Sequence, residues 1–193
     1  MARRLRGRNY PLFGVPMTAL PANVSALLDA ASDRYGVPRI YARAVAWTES
    51  QGRHDLQGTR GELGVMQLMP DTAAELGVNP RDLAANIDGG VRYLANMQRL
   101  YGERVGLAAY NGGPSIARKP ESEWPSSVKS YLTRAMMRVD YEARTIGVRT
   151  AAPPFDLADL PDLTDEVTED LSPLLASPRC SSSSTSGAAS DDT

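Results

Sequence analysis

Residues 46–50 read Ala46-Trp47-Thr48-Glu49-Ser50 and residues 64–70 read Gly64-Val65-Met66-Gln67-Leu68-Met69-Pro70, and the surroundings of these two runs decide the fold. The first run closes an apolar helical pattern that begins near Pro38, passes through Ile40, Val45 and Trp47 to Gln51, and is stopped by Gly52. Between the runs lies a polar, Gly-rich excursion, residues 52–64, long enough for a loop or a small hairpin. Upstream, Val24, Leu27, Leu28 and Ala31 recur at helical spacing, with Gly36 closing that helix and Pro38 opening the next. Downstream, a third helix is expected from about Asp71 to Gly77. A fourth is marked by Ile87, Val91, Leu94, Met97 and Tyr101, and a short fifth over 103–110 stops at Gly112-Gly113-Pro114. The last carries Val128, Tyr131, Leu132, Ala135, Met136 and Val139. The pattern predicts a mainly α fold with a single helical domain.

The whole chain agrees with one such domain. It has 193 residues, 42% apolar and 23% charged, and it lacks the run of roughly 18 apolar residues that a membrane-spanning helix needs. The net charge of −2 conceals a division. Residues 1–150 carry 20 basic and 14 acidic side chains, net +6, whereas residues 151–193 carry Arg179 and nine acidic side chains, net −8. A mild positive charge with no basic run beyond the first eight residues gives no ground for a nucleic-acid partner. The expected organisation is a basic N-terminal extension over 1–21, the helical domain over 22–150, and an acidic, Pro- and Ser-rich tail over 151–193 too poor in apolar residues to form a core, hence disordered. Arg3, Arg4, Arg6 and Arg8 resemble the start of a secretory signal, but Pro11, Pro16 and Pro21 interrupt the segment after them, so no convincing export signal is expected. A single cysteine, Cys180, and a single histidine, His54, exclude an intramolecular disulfide and supply too few such ligands for an ordinary zinc site; His54 is expected at the surface.

Glu49 is the residue with the clearest chemistry. A carboxyl in the last turn of an apolar helix, beside a tryptophan, is disfavoured in its charged form by desolvation and by the negative end of the helix dipole. A carboxylic acid kept protonated near neutral pH is what a glycosidic oxygen requires of a general acid. Taken alone, Glu49 reads more readily as a solvated glutamate at a helix end. Three further segments change that balance: Gly64–Pro70; Asn86-Ile87 ahead of Gly90 and Tyr93-Leu94; and Ala109-Tyr110-Asn111 ahead of Gly113. With Glu49-Ser50 lying 17 residues before Met66, these ordered motifs resemble the catalytic domain of the soluble lytic transglycosylases, which share a lysozyme-like fold with goose-type lysozymes. The resemblance covers about residues 22–145.

The resemblance implies a lysozyme-like catalytic domain and a peptidoglycan substrate. Glu49 would be the single acid and base, cleaving the MurNAc–GlcNAc β-1,4 bond to leave a 1,6-anhydro sugar, with no metal and no cofactor. It also implies substrate-binding roles for Ser50, Gly64, Met66, Gln67, Tyr110 and Asn111. Gly64 would let the backbone approach a sugar, Gln67 would suit N-acetyl groups as donor and acceptor, and the Tyr110 hydroxyl would sit beside the acid. Met66 and Leu68 would form wall and core, and Asn86, Gly90, Tyr93 and Leu94 mainly scaffold. The family often has a Glu-Thr pair four residues ahead of a Tyr-Val pair; the corresponding stretch is Ser127 to Leu132, with Ser127 in place of the glutamate. Val65 for leucine and Gly112 for alanine are smaller departures. Two other readings fit the same residues: a muramidase that positions a water with Asp55, Glu62 or Asp71, and a noncatalytic peptidoglycan-binding or structural virion module. Action on the cell wall without an evident signal points to a phage particle, holin release or specialised secretion, with virion or secretion-machine proteins as partners.

Overall fold

The computed structural model describes residues 17–147. Seven α-helices run α1 (Ala22–Tyr35), α2 (Arg39–Ser50), α3 (Pro70–Glu75), α4 (Leu83–Tyr101), α5 (Glu103–Gly112), α6 (Pro114–Ala117) and α7 (Ser126–Thr145), with a 3₁₀ turn at Glu121–Glu123 before α7. The first five and the last follow the apolar periodicity of the sequence. The four-residue α6 and the 3₁₀ turn are too short to carry a period and have no such signal.

The centre of the domain is α5. Gly106 through Gly112 are all buried, so this helix faces protein on every side. It packs against α4 on one flank and α7 on another, while α2 packs between α7 and α1, and α1 reaches α4. Val45, Ala46 and Trp47 of α2, Leu107 and Tyr110 of α5, and Val128, Leu132 and Ala135 of α7 join in one apolar core.

The packed body extends N-terminally past Ala22. Leu20 is part of the core, Met17 packs against it, and the Thr18 carbonyl accepts a hydrogen bond from Arg138 of α7 at 2.7 Å. Residues 1–16 and 148–193, which include Cys180, the basic N-terminal run and the acidic tail, lie outside the described residues.

The end of α2 differs in detail from its sequence reading. Gln51, rather than Gly52, takes the left-handed C-terminal position, with φ 57°, and its N–H bonds back to Trp47 O at 2.9 Å. Gly52 comes next at φ 79°, and a Cβ there would stand 2.7 Å from Pro21 Cδ. The glycine is needed for that contact as much as for its φ. Beyond it, residues 52–68 form a compact loop closed by antiparallel bridges, Gln57 to Leu63 and Leu63 to Leu68, which is the small-hairpin alternative in reduced form.

Candidate active site

Glu49 stands in the last turn of α2 with 3% of its surface exposed. The Tyr131 hydroxyl, from α7, donates to Glu49 Oε1 at 3.1 Å. Three residues along α7, Arg134 is held below the usual arginine range chiefly by burial, with the charges of Tyr131 and Glu49 acting in the opposite direction. The carboxyl therefore sits between opposed influences. Burial and the helix C-terminus favour its neutral form; a phenolic donor and a cation favour the ionised one.

Ser50 fixes the neighbouring loop. Its hydroxyl donates to Val65 O at 2.8 Å and accepts from Gly52 N–H at 3.1 Å, so it joins the end of α2 to the 64–67 segment through backbone groups. That segment is latched from a second side by Asn86 of α4. Asn86 Oδ1 accepts from Met66 N–H at 2.9 Å, and its amide donates to Leu63 O at 2.8 Å and Pro80 O at 3.1 Å. Gly64, at φ 74°, lies so close to this amide that a Cβ would fall 2.7 Å from Asn86 Nδ2. From α5, the Tyr110 hydroxyl donates to Met66 O at 2.7 Å, and the Tyr110 ring tilts over Tyr93 at 5.3 Å.

Met66 is thus held at both backbone ends, and its side chain is fully buried against Gly90, where a Cβ would come within 2.4 Å of Met66 Cβ. Its side chain belongs to the core, and its backbone anchors the loop. Gln67 adopts a left-handed φ of 45°, unusual for a non-glycine residue, and its amide donates to Gly64 O at 2.8 Å and Leu56 O at 3.1 Å. Its Oε1 is buried without a hydrogen-bond partner among the described residues. Asn111 is buried in the last turn of α5. Gly112 beside it has a packing reason for lacking a methyl, since a Cβ would lie 2.5 Å from Ile116 Cγ1 and 3.0 Å from Val128 Cγ2.

The sequence points to Tyr110 for the hydroxyl beside the acid. In the structure the Tyr110 proton goes to Met66 O, and the hydrogen bond to Glu49 comes from Tyr131. Tyr131 and Arg134 are the site residues that sequence reasoning did not single out. Their signal was the Tyr131-Leu132 pair, matched only for the glutamate missing at Ser127.

The other carboxylates have different surroundings. Glu62 is fully buried and takes hydrogen bonds from the Arg60 backbone N–H and from Arg60 Nε and Nη2, at 2.9 to 3.2 Å. Asp55 is exposed, and Asp71 is exposed in the first turn of α3. His54 is half-buried, with Nε2 2.9 Å from Arg81 O, where it ties the loop to the start of α4. Among the described residues no cluster of three or more His, Cys, Asp or Glu side chains could hold a metal ion, and no helix is long and apolar enough to cross a membrane.

The domain is all-helical, with a buried carboxyl at the end of one core helix and a glycine-containing loop tied to that helix by Ser50 and latched to α4 and α5, and this arrangement is consistent with a lysozyme-like fold. The profile of the transglycosylase SLT domain family matches residues 26–132, more than half of the chain, and the chain belongs to that family. It is similar to a transglycosylase of Enterobacteria phage PRD1, 37% identical over 116 residues that make up 58% of this chain and 42% of the relative. It is also similar to the membrane-bound lytic murein transglycosylase F of Klebsiella pneumoniae, 38% identical over 79 residues, 36% of this chain and 16% of the relative. Among solved structures, the 70 kDa soluble lytic transglycosylase of Escherichia coli superposes with a TM-score of 0.60 at 24% identity over 69% of this chain and 26% of that one. An inactive mutant of lytic transglycosylase Slt from Pseudomonas aeruginosa gives 0.57 at 21% identity with the same coverage. At these identities the structural likeness speaks for the fold. The chain spans less than half the length of each of these relatives.

Proposed function

We propose that this protein is a peptidoglycan lytic transglycosylase that cleaves the MurNAc–GlcNAc β-1,4 bond with Glu49 as both acid and base. The observation that carries this reading is the Glu49 carboxyl, 3% exposed and hydrogen-bonded by Tyr131, inside the segment that matches the family. Protonated Glu49 gives its proton to the glycosidic oxygen as the bond to the muramic C1 breaks. The 2-acetamido group supports the positive charge on that carbon. The Glu49 carboxylate, accepting the Tyr131 O–H, then removes the proton from the muramic C6 hydroxyl, and O6 closes on C1. The proton lost in the first step is recovered in the second, and the product ends in a 1,6-anhydro ring with no water consumed.

In this reading Gly64, Gln67 and Asn111 take the sugar and its N-acetyl groups. Ser50, Met66 and Tyr110 hold the loop that presents them. The substrate lies outside the cytoplasmic membrane, and the phage relative favours delivery with a virion over a secretion machine.

The test is mass spectrometry of the muropeptides released from purified peptidoglycan by the intact chain and by Glu49→Gln. Anhydro-muropeptides from the former alone are expected. Reducing-end products would make the protein a muramidase, with Asp55 and Asp71 the exposed carboxylates to examine. No release by folded protein would make it a binding or virion module.

A further inference from the structure

Arg134 lies on the α7 face that meets the catalytic helix. Residues 131, 134 and 138 fall within about 60° of one another around a helix of 3.6 residues per turn. Both ends of this row are fixed on α2: the Tyr131 hydroxyl is 3.1 Å from Glu49 Oε1, and the Arg138 guanidinium lies 4.8 Å from the centre of the Trp47 ring. Arg134, half-buried between them, is bracketed by the two residues that touch Glu49 and its neighbour Trp47. Glu49 and Tyr131 are the groups whose charges act on its guanidinium.

The other charged groups near this end of α2 have partners of their own: Arg53 donates to Ser50 O at 3.1 Å, Lys129 of α7 donates to Ser122 O at 3.0 Å, and Arg34 of α1 pairs with Asp88. Asp29 and Asp33 of α1 pair with Arg43 and Arg39 of α2, and Arg138 pairs with Glu142 of α7, which also faces Arg43 at 3.5 Å. The 64–67 segment brings no ionisable side chain, and Tyr110 of α5 directs its proton to Met66 O. One turn before Tyr131 on the same face stands Ser127, exposed and uncharged.

We infer that Arg134 is a positioning residue that stabilises the Glu49 carboxylate left behind when the glycosidic oxygen takes its proton. The inference rests on the reading of Glu49 as the acid and base. A carboxyl that is 3% exposed gains little from water once ionised, and the Tyr131 hydrogen bond replaces only part of that hydration. A fixed cation supplies the rest, and it acts more strongly in this desolvated setting than at the surface. Glu49 can then alternate between acid and base within one cycle.

The experiment is a ¹³C NMR titration of glutamate carboxyls in the full chain, with Glu49 assigned by its loss in Glu49→Gln. Removing the cation destabilises the carboxylate, so the Glu49 midpoint in Arg134→Gln should rise by about 1 pH unit. In Arg134→Lys, which keeps the charge, it should stay near the wild-type value. The basic limb of kcat/KM for anhydro-muropeptide release should move upward with the first variant and not with the second. An unmoved midpoint in folded Arg134→Gln, or an equal rise in Arg134→Lys, overturns the inference. The titration needs no turnover, so a wild-type chain that releases no anhydro product would fail the functional reading while leaving this result standing.

Discussion

A carboxyl held almost out of contact with water changes charge only if its neighbours answer the change, and Tyr131 is a neighbour in direct contact. The Tyr131 O–H donates to Glu49 Oε1, on the carboxyl that carries negative charge midway through the proposed reaction. A hydrogen bond to a charged group contributes about 1.5–3 kcal/mol. Tyr131→Phe removes that donor while leaving the ring in the core, so kcat for anhydro-product release should fall about 10- to 100-fold with KM nearly unchanged. A KM effect alone would place the hydroxyl on the substrate instead. The contact joins residues 82 positions apart. Nothing in local periodicity reports such a pair, which is why the sequence points to Tyr110, whose motif is the more distinctive. Glu49 itself was legible because its helix, its tryptophan neighbour and the four ordered motifs are each written in short stretches of chain.

At the scale of elements, the loop between α2 and α3 is shaped by a few buried polar groups rather than by an apolar pattern. Asn86 makes three hydrogen bonds to loop backbone and is fully buried. Asn86→Ala strands the Met66 N–H and the Pro80 carbonyl, while the Leu63 carbonyl still accepts from Leu68 N–H, at about 1–3 kcal/mol for each group left without a partner. A total loss of about 3 kcal/mol, read as a lower urea midpoint, is expected. Activity should drop at temperatures where the fold is intact, because Gly64 and Gln67 belong to the loop that Asn86 latches. An unchanged midpoint with unchanged activity would mean that Ser50 and Tyr110 hold the loop by themselves. The same contrast explains what the sequence made legible. The long helices are visible through their periodic apolar faces, whereas α6, the 3₁₀ turn, the bridges at Gln57, Leu63 and Leu68, and the left-handed Gln51 depend on contacts between distant segments.

At the scale of the whole molecule, the segment before α1 and helices α1, α2 and α7 meet in one buried ionic cluster. Arg138 is fully buried, donates to Thr18 O and Glu142, and lies over both Trp47 and Tyr141. Glu142 faces Arg43, which pairs with Asp29 of α1. Breaking a buried pair by removing one partner costs about 3–5 kcal/mol, because the other charge stays behind. For Arg138→Ala the lower end, about 3 kcal/mol, is expected, since Arg43 still lies 3.5 Å from Glu142 and keeps that carboxylate compensated. Urea unfolding followed by tryptophan emission measures it, and the native-state emission should itself change as the cation leaves the Trp47 ring. Well below the new midpoint, turnover should remain within a few-fold of wild type, because Arg138 acts on Trp47 and on Thr18 O rather than on the Glu49 carboxyl. A large loss of kcat in the folded variant would instead show that the position of α2, and with it Glu49, depends on this cluster.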